Sequence, residues 1–121
     1  MAGEIKRATR VAEGLRQEIA TLLGRKVRDP RVSGVVVSRV VLTDDLRNAK
    51  VYVRLLDGDA ARREESIAGL TRAAGMLRRE ATRALKLRVA PELRFFYDEG
   101  EDARERIERV LDEIKRDDDR G

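Results

Sequence analysis

The segment Leu70–Asp98, LTRAAGMLRREATRALKLRVAPELRFFYD, limits the possible folds more than any other part of this 121-residue chain. It reads as a helix interrupted near Ala73-Ala74-Gly75, then a cation-rich helix, then a short strand that begins after Ala90-Pro91. At 100° per residue, Arg72, Arg79, Arg83 and Lys86 fall within roughly 60° of one another. Leu70, Leu77, Ala81, Ala84 and Leu85 cluster on the opposite side. One face suits a core and the other a polyanion. Gly75 sits where the cationic face begins, and a backbone without Cβ permits a bend or a close approach by a partner. A solvated basic face on an ordinary helix, with an incidental glycine, would leave the same pattern.

The elements around this segment follow from periodicity. Val11, Leu15, Ile19 and Leu22 place an amphipathic helix over about Thr9–Lys26, stopped by Asp29-Pro30 because the residue before proline disfavours helical geometry. Gly34–Thr43 is valine-dense and reads as a strand. A polar turn follows at Thr43–Asn48. In Ala49–Leu56, Val51, Val53 and Leu55 alternate with Lys50, Tyr52 and Arg54, as in a half-buried strand beside its hairpin partner. Asp57-Gly58-Asp59 supplies a turn and an N-cap for a helix starting near Ala60, buried through Ile67 and Leu70. Glu92–Asp98 is a third strand, with Leu93, Phe95 and Tyr97 alternating with Arg94 and Phe96. Glu101–Arg116 is a last helix, expected to bury Ile107, Val110, Leu111 and Ile114.

The expected order is α-β-β-α-kink-α-β-α. It makes an α+β fold, with a three-stranded sheet and helices on one face. A helix pair between strands, behind a leading helix, is the order of a K-homology-like domain, in which a GxxG loop grips single-stranded nucleic acid. Here Ala73-Ala74-Gly75 stands where that loop would be. Residues 5–116 are expected to form one domain and 117–121 a short acidic disordered tail. No apolar run approaches the roughly 18–20 residues needed to cross a bilayer, and MAGEIKRATR has no signal-like stretch. With no cysteine there is no disulfide framework or thiolate chemistry. The expectation is a cytoplasmic protein with no membrane association.

Charge is distributed unevenly. Residues 1–98 carry 21 Lys/Arg against 13 Asp/Glu, and residues 99–121 carry 6 against 10. A basic body with an acidic end suits an anionic partner, nucleic acid above all. Catalysis finds little support, because the absence of His and Cys removes the commonest general base and the commonest nucleophile–base pairs. The paired carboxylates Asp44-Asp45, Glu64-Glu65 and Asp117–Asp119 read as solvated turn and helix-end residues. No phosphate loop is present. The chain is expected to be no enzyme, with no cofactor, no metal and no small-molecule substrate.

The sequence resembles the ribosome-binding factor A family, whose K-homology-like domain replaces GxxG with an Ala-x-Gly kink. Ala73 and Gly75 match that kink. Leu87–Asp98, LRVAPELRFFYD, follows the family's Leu-Arg-x-x-Pro-Glu-Leu-x-Phe-x-x-Asp pattern, and Arg10-Val11-Ala12-Glu13 and Asp29-Pro30-Arg31 extend the likeness over roughly residues 5–114. The resemblance implies a monomer that binds the small (30S) ribosomal subunit or its precursor through 16S ribosomal RNA and assists late maturation. Many members have a longer tail than the short acidic one here.

From the residues themselves, Arg72, Arg78, Arg79, Arg83, Lys86 and Arg88 are the expected phosphate contacts, six cations against the single acid Glu80 between residues 72 and 88. Ala73 and Gly75 would let RNA come close. With four aromatics in the chain, and Phe95 and Tyr97 read as core, recognition is expected to depend on RNA shape rather than base stacking. Two other readings remain open. One is a K-homology-like module for other RNA or single-stranded DNA, and the other is a basic module that docks an acidic protein.

Overall fold

Two valine-rich strands joined by a polar turn have no means of burying both faces, so they need a helix layer on one side. The computed structural model describes residues 2–100 together with Leu111 and Ile114, with side-chain surroundings from Arg7 onward. Its elements run α1 (Ala2–Arg25), a 3-10 turn (Pro30–Val32), β1 (Val35–Leu42), β2 (Asn48–Leu55), α2 (Ala60–Ala84) and β3 (Glu92–Tyr97). The sheet order is β1-β2-β3. β1 pairs antiparallel with β2, and β2 pairs parallel with β3 from Asn48↔Glu92 to Val53↔Tyr97. A parallel pair needs a long crossover, and α2 supplies it.

The core lies between the sheet and the two helices. α1 buries Ala8, Ala12, Leu15, Ile19 and Leu22, a four-three-four-three spacing that keeps one stripe facing the sheet. Ala49, Val51 and Val53 of β2, Leu93 and Phe95 of β3, and Leu70, Leu77 and Ala81 of α2 meet it. Val11 is half-buried at the edge of the stripe. Asp29 is extended, as a residue before proline should be, and caps the 3-10 turn by accepting a hydrogen bond from the Arg31 amide. Gly34 leads into β1 with φ of 78°, a value that suits glycine. The Asp59 carboxylate accepts from the Arg62 amide at 2.9 Å and starts α2, as the sequence suggests.

Three expectations need correction. The break expected at Ala73–Gly75 is absent, since α2 runs as one helix of 25 residues from Ala60 to Ala84. Gly75 has no positive φ, and its flanking Ala73, Ala74, Met76 and Leu77 are good helix formers. Anchoring at Leu70, Leu77 and Ala81, all fully buried, holds the helix on both sides of a glycine that costs about 1 kcal/mol. Ala84, grouped with the core by periodicity, is exposed in the last turn of α2, where the chain is already leaving the sheet. Leu111 and Ile114 are helical but about half exposed (54% and 51%) rather than buried. Periodicity identifies an apolar stripe but supplies no surface to cover it. The rest of the expected last helix and the expected tail at 117–121 lie outside the described residues.

Candidate nucleic-acid interface

α2 turns its apolar stripe to the sheet, and geometry then leaves Arg72, Arg79 and Arg83 on the outer side. All three are exposed, as is Lys86 just beyond the helix end, and none of the four forms a salt bridge among the described residues. The single acid of the segment, Glu80, is paired with Lys26 at 3.3 Å, so it does not neutralise the arginine row. The result is a linear array of exposed donors along one helix. Such an array can neutralise successive phosphates and carries no base information by itself.

Lys86 is held in an unusual backbone position, with φ of 55°. It follows the C-cap Leu85, and two hydrogen bonds close the helix end: Lys86 amide to Arg83 carbonyl at 3.2 Å, and Leu87 amide to Thr82 carbonyl at 3.0 Å. That pattern is a Schellman motif, whose left-handed position normally holds glycine. A lysine there places its charge beside the exposed carbonyl end of the helix dipole.

Two expected contacts leave the row. The Arg78 guanidinium donates twice to the Ala90 carbonyl, at 3.2 Å from Nε and 2.7 Å from Nη2. It ties α2 to the loop that leads through buried Pro91 into β3, so its first role is to position that loop. Arg88 is exposed in the same loop and lines a recess with Arg7, Asp44, Asp45 and Leu46, apart from the groove beside Arg72. The sequence grouped these cations because they are close in number, but Arg78 leaves the row by its helical angle and Arg88 by the turn at Lys86.

Ala73 is half-buried against the core cluster, and Gly75 is exposed. A Cβ at Gly75 would meet nothing closer than Arg79 Nη1 at 3.5 Å, an ordinary contact. The close approach lies six residues earlier. A Cβ at buried Gly69 would come within 2.9 Å of Val32 Cγ1 and 3.1 Å of Arg31 Cβ. Gly69 is where the 3-10 turn is pressed onto α2.

That packing creates a second cationic wall which sequence reasoning missed. Lys26, Arg28, Asp29 and Arg31 line a groove with Gly69, Arg72 and Met76. Asp29 accepts from Arg31 Nε at 3.0 Å and Nη2 at 2.6 Å, and these hydrogen bonds, with that from the Arg31 amide, hold its carboxyl at about 2. Arg31 is thereby fixed and Lys26 is held by Glu80, which leaves Arg28 to add charge beside Arg72. The signal in the sequence was the cluster Arg25, Lys26, Arg28 and Arg31, but nothing local says which helix it faces. No helix among the described residues is long and apolar enough to cross a membrane, and no His/Cys/Asp/Glu cluster among them could hold a metal ion.

The family model described as ribosome-binding factor A matches residues 7–111. A ribosome-binding factor A from Sorangium cellulosum is 58% identical over 117 residues, covering 95% of this chain and 94% of its own. The crystal structure of ribosome-binding factor A from Thermus thermophilus shares the fold, with a TM-score of 0.65 at 24% identity over 74% of this chain and 94% of that one. A homology model of the Thermus thermophilus factor, fitted into an electron-microscopy map of its complex with the 30S subunit, gives 0.57 at 25% identity, over 69% and 86%. With a family model matched over residues 7–111, a relative 58% identical over 95% of the chain, and a shared α-β-β-α-β fold, the chain belongs to the ribosome-binding factor A family.

Proposed function

We propose that this protein binds the small ribosomal subunit or its precursor through 16S ribosomal RNA and assists late maturation of that RNA in the cytoplasm. It acts as a monomer, without catalysis, cofactor or small-molecule substrate, and residues 5–116 serve as one RNA-binding domain. The observation that carries the reading is the exposed row Arg72, Arg79, Arg83 and Lys86, with its single acid occupied by Lys26. The fitted 30S complex of the Thermus thermophilus factor supports the choice of partner.

Arg28 extends the row across the groove it shares with Arg72, where Lys26 and Arg31 are held by Glu80 and Asp29, so that phosphates can be taken from both sides. Arg78 and Arg88 contribute at the margin, since one braces the loop before β3 and the other lies beside it. Ala73 and Gly75 keep the helix surface low where RNA would pass. A short side chain is enough for that purpose, with no backbone kink.

Sedimentation with purified 30S subunits tests the reading. The wild-type chain should travel with 30S particles, and Arg79→Glu together with Arg83→Glu should remain at the top of the gradient with an unchanged melting temperature. Wild-type protein that never leaves the top would refute the function. A double variant that still co-sediments would refute the interface.

A further inference from the structure

The helices cover one side of the sheet and leave the other open among the described residues. Side chains at registered positions share that open face: Val36 beside Arg54, Arg39 beside Tyr52, and Val41 beside Lys50, with Lys50 next to Arg94 and Tyr52 next to Phe96. The pairing shifts between Val37 and Arg39, which keeps Arg39 on the same side as Tyr52. The Tyr52 and Phe96 rings lie 5.7 Å apart at 32°, and the Arg39 guanidinium rests 4.1 Å over Tyr52. Phe96 is 40% exposed, although phenylalanine is among the residues most often buried.

Charge on this face favours an anion. Arg39, Lys50, Arg54 and Arg94 stand against two carboxylates, Glu92 and Asp98. Glu92 lies 3.8 Å from Arg94. Asp98 is buried and accepts from Ser38 Oγ at 2.7 Å and the Gly100 amide at 2.9 Å, with Arg39 Nε 3.7 Å away. Its position steadies Arg39 over the tyrosine ring. The open face therefore combines planar groups in a row with a surplus of positive charge.

We propose that this face is a second RNA surface, on which unpaired bases stack on Phe96 and on the Arg39–Tyr52 pair while Lys50 and Arg94 take phosphates. Bases stack on aromatic rings and on guanidinium planes alike, and a sheet presents such groups at successive positions. The inference rests on the RNA-binding reading and extends it, from phosphate contacts on α2 to base contacts on the opposite side of the domain. An apolar protein partner would suit Val36 and Val41, but it would desolvate a face on which four cations meet only two carboxylates.

Fluorescence anisotropy with short fluorescein-labelled oligouridylate and oligoadenylate tests the proposal on the full chain. Tyr52→Leu with Phe96→Leu should weaken binding about tenfold or more, since stacking is sequence-tolerant and strong. The salt dependence should stay unchanged, because no charge is removed. Tyr52→Phe keeps the ring and should bind as wild type. Thermal melts check folding, and Phe96→Leu alone serves if the pair melts early. Equal affinity of the leucine variants would overturn the proposal, and so would weak binding by Tyr52→Phe. Unchanged RNA affinity with altered self-association would mark a protein interface and equally overturn it. If the leucine variants bind RNA normally while Arg79→Glu/Arg83→Glu loses 30S binding, only this inference falls. If the wild-type chain binds neither, the RNA-binding reading itself falls.

Discussion

The two glycines of α2 should respond in opposite ways to the same substitution. Helix propensity favours alanine over glycine by about 1 kcal/mol at either position. At Gly75 the new Cβ meets only a flexible guanidinium at 3.5 Å, so nearly the whole gain should appear in Gly75→Ala. At Gly69 the new methyl lies 2.9 Å from Val32 Cγ1 and 3.1 Å from Arg31 Cβ. Val32 is buried and β-branched, with no free rotamer to escape into. Relief requires the 3-10 turn to move off the helix, and overpacking of this kind costs about 1–3 kcal/mol. The gain offsets part of that cost, which leaves Gly69→Ala neutral to about 2 kcal/mol less stable. A chain of this size moves its melting temperature by roughly 3–6 °C per kcal/mol. Thermal melts should therefore place Gly75→Ala a few degrees above the wild type and Gly69→Ala at or below it. Equal stabilisation of both would refute the close approach at Gly69, and a destabilised Gly75→Ala would restore a backbone requirement at that glycine. Because the helix continues through Gly75, the alanine variant should also bind 30S subunits normally.

Lys86→Gly should raise stability by about 1 kcal/mol, since the left-handed position no longer strains a side chain, while 30S binding weakens with the lost cation; melts and sedimentation read the two effects separately. Arg78→Ala removes both hydrogen bonds to the Ala90 carbonyl and should cost about 1 kcal/mol, with faster amide exchange in the loop before β3. Asp29 is held below the ordinary carboxylate range, so its contribution is present above about pH 4 and lost as pH falls towards 2. The melting-temperature gap between wild type and Asp29→Asn should close over that interval, and a gap independent of pH would contradict the Arg31 pairing.

The strands were legible because valine and alternation report a sheet directly, and the N-cap at Asp59 because capping is a local interaction. The stop at Asp29-Pro30 was legible for the same reason. Gly69 was not, because its partners Arg31 and Val32 lie far away in sequence and only packing brings them together. The break at Ala73–Gly75 was overread: a glycine lowers helix propensity, and burial of Leu70 and Leu77 outweighs that locally weak signal. The cation row at Arg72, Arg79 and Arg83 followed from helical angle alone. Arg78 and Arg88 did not, since no periodicity shows that a guanidinium will meet the Ala90 carbonyl or that the chain turns at Lys86. Tyr52 and Phe96 could be assigned to outward positions in their own strands, but their proximity depends on the parallel pairing of β2 with β3.

The claim that α2 binds the subunit by neutralising phosphates is tested most directly by the salt dependence of 30S affinity, measured for the wild type and for Arg79→Gln with Arg83→Gln. If both arginines contact phosphate, the wild-type affinity falls steeply as salt rises. The variant's log–log slope should then be shallower by about 1.4 or more, at roughly 0.7 for each lost contact. Matching slopes and matching affinities would contradict the account.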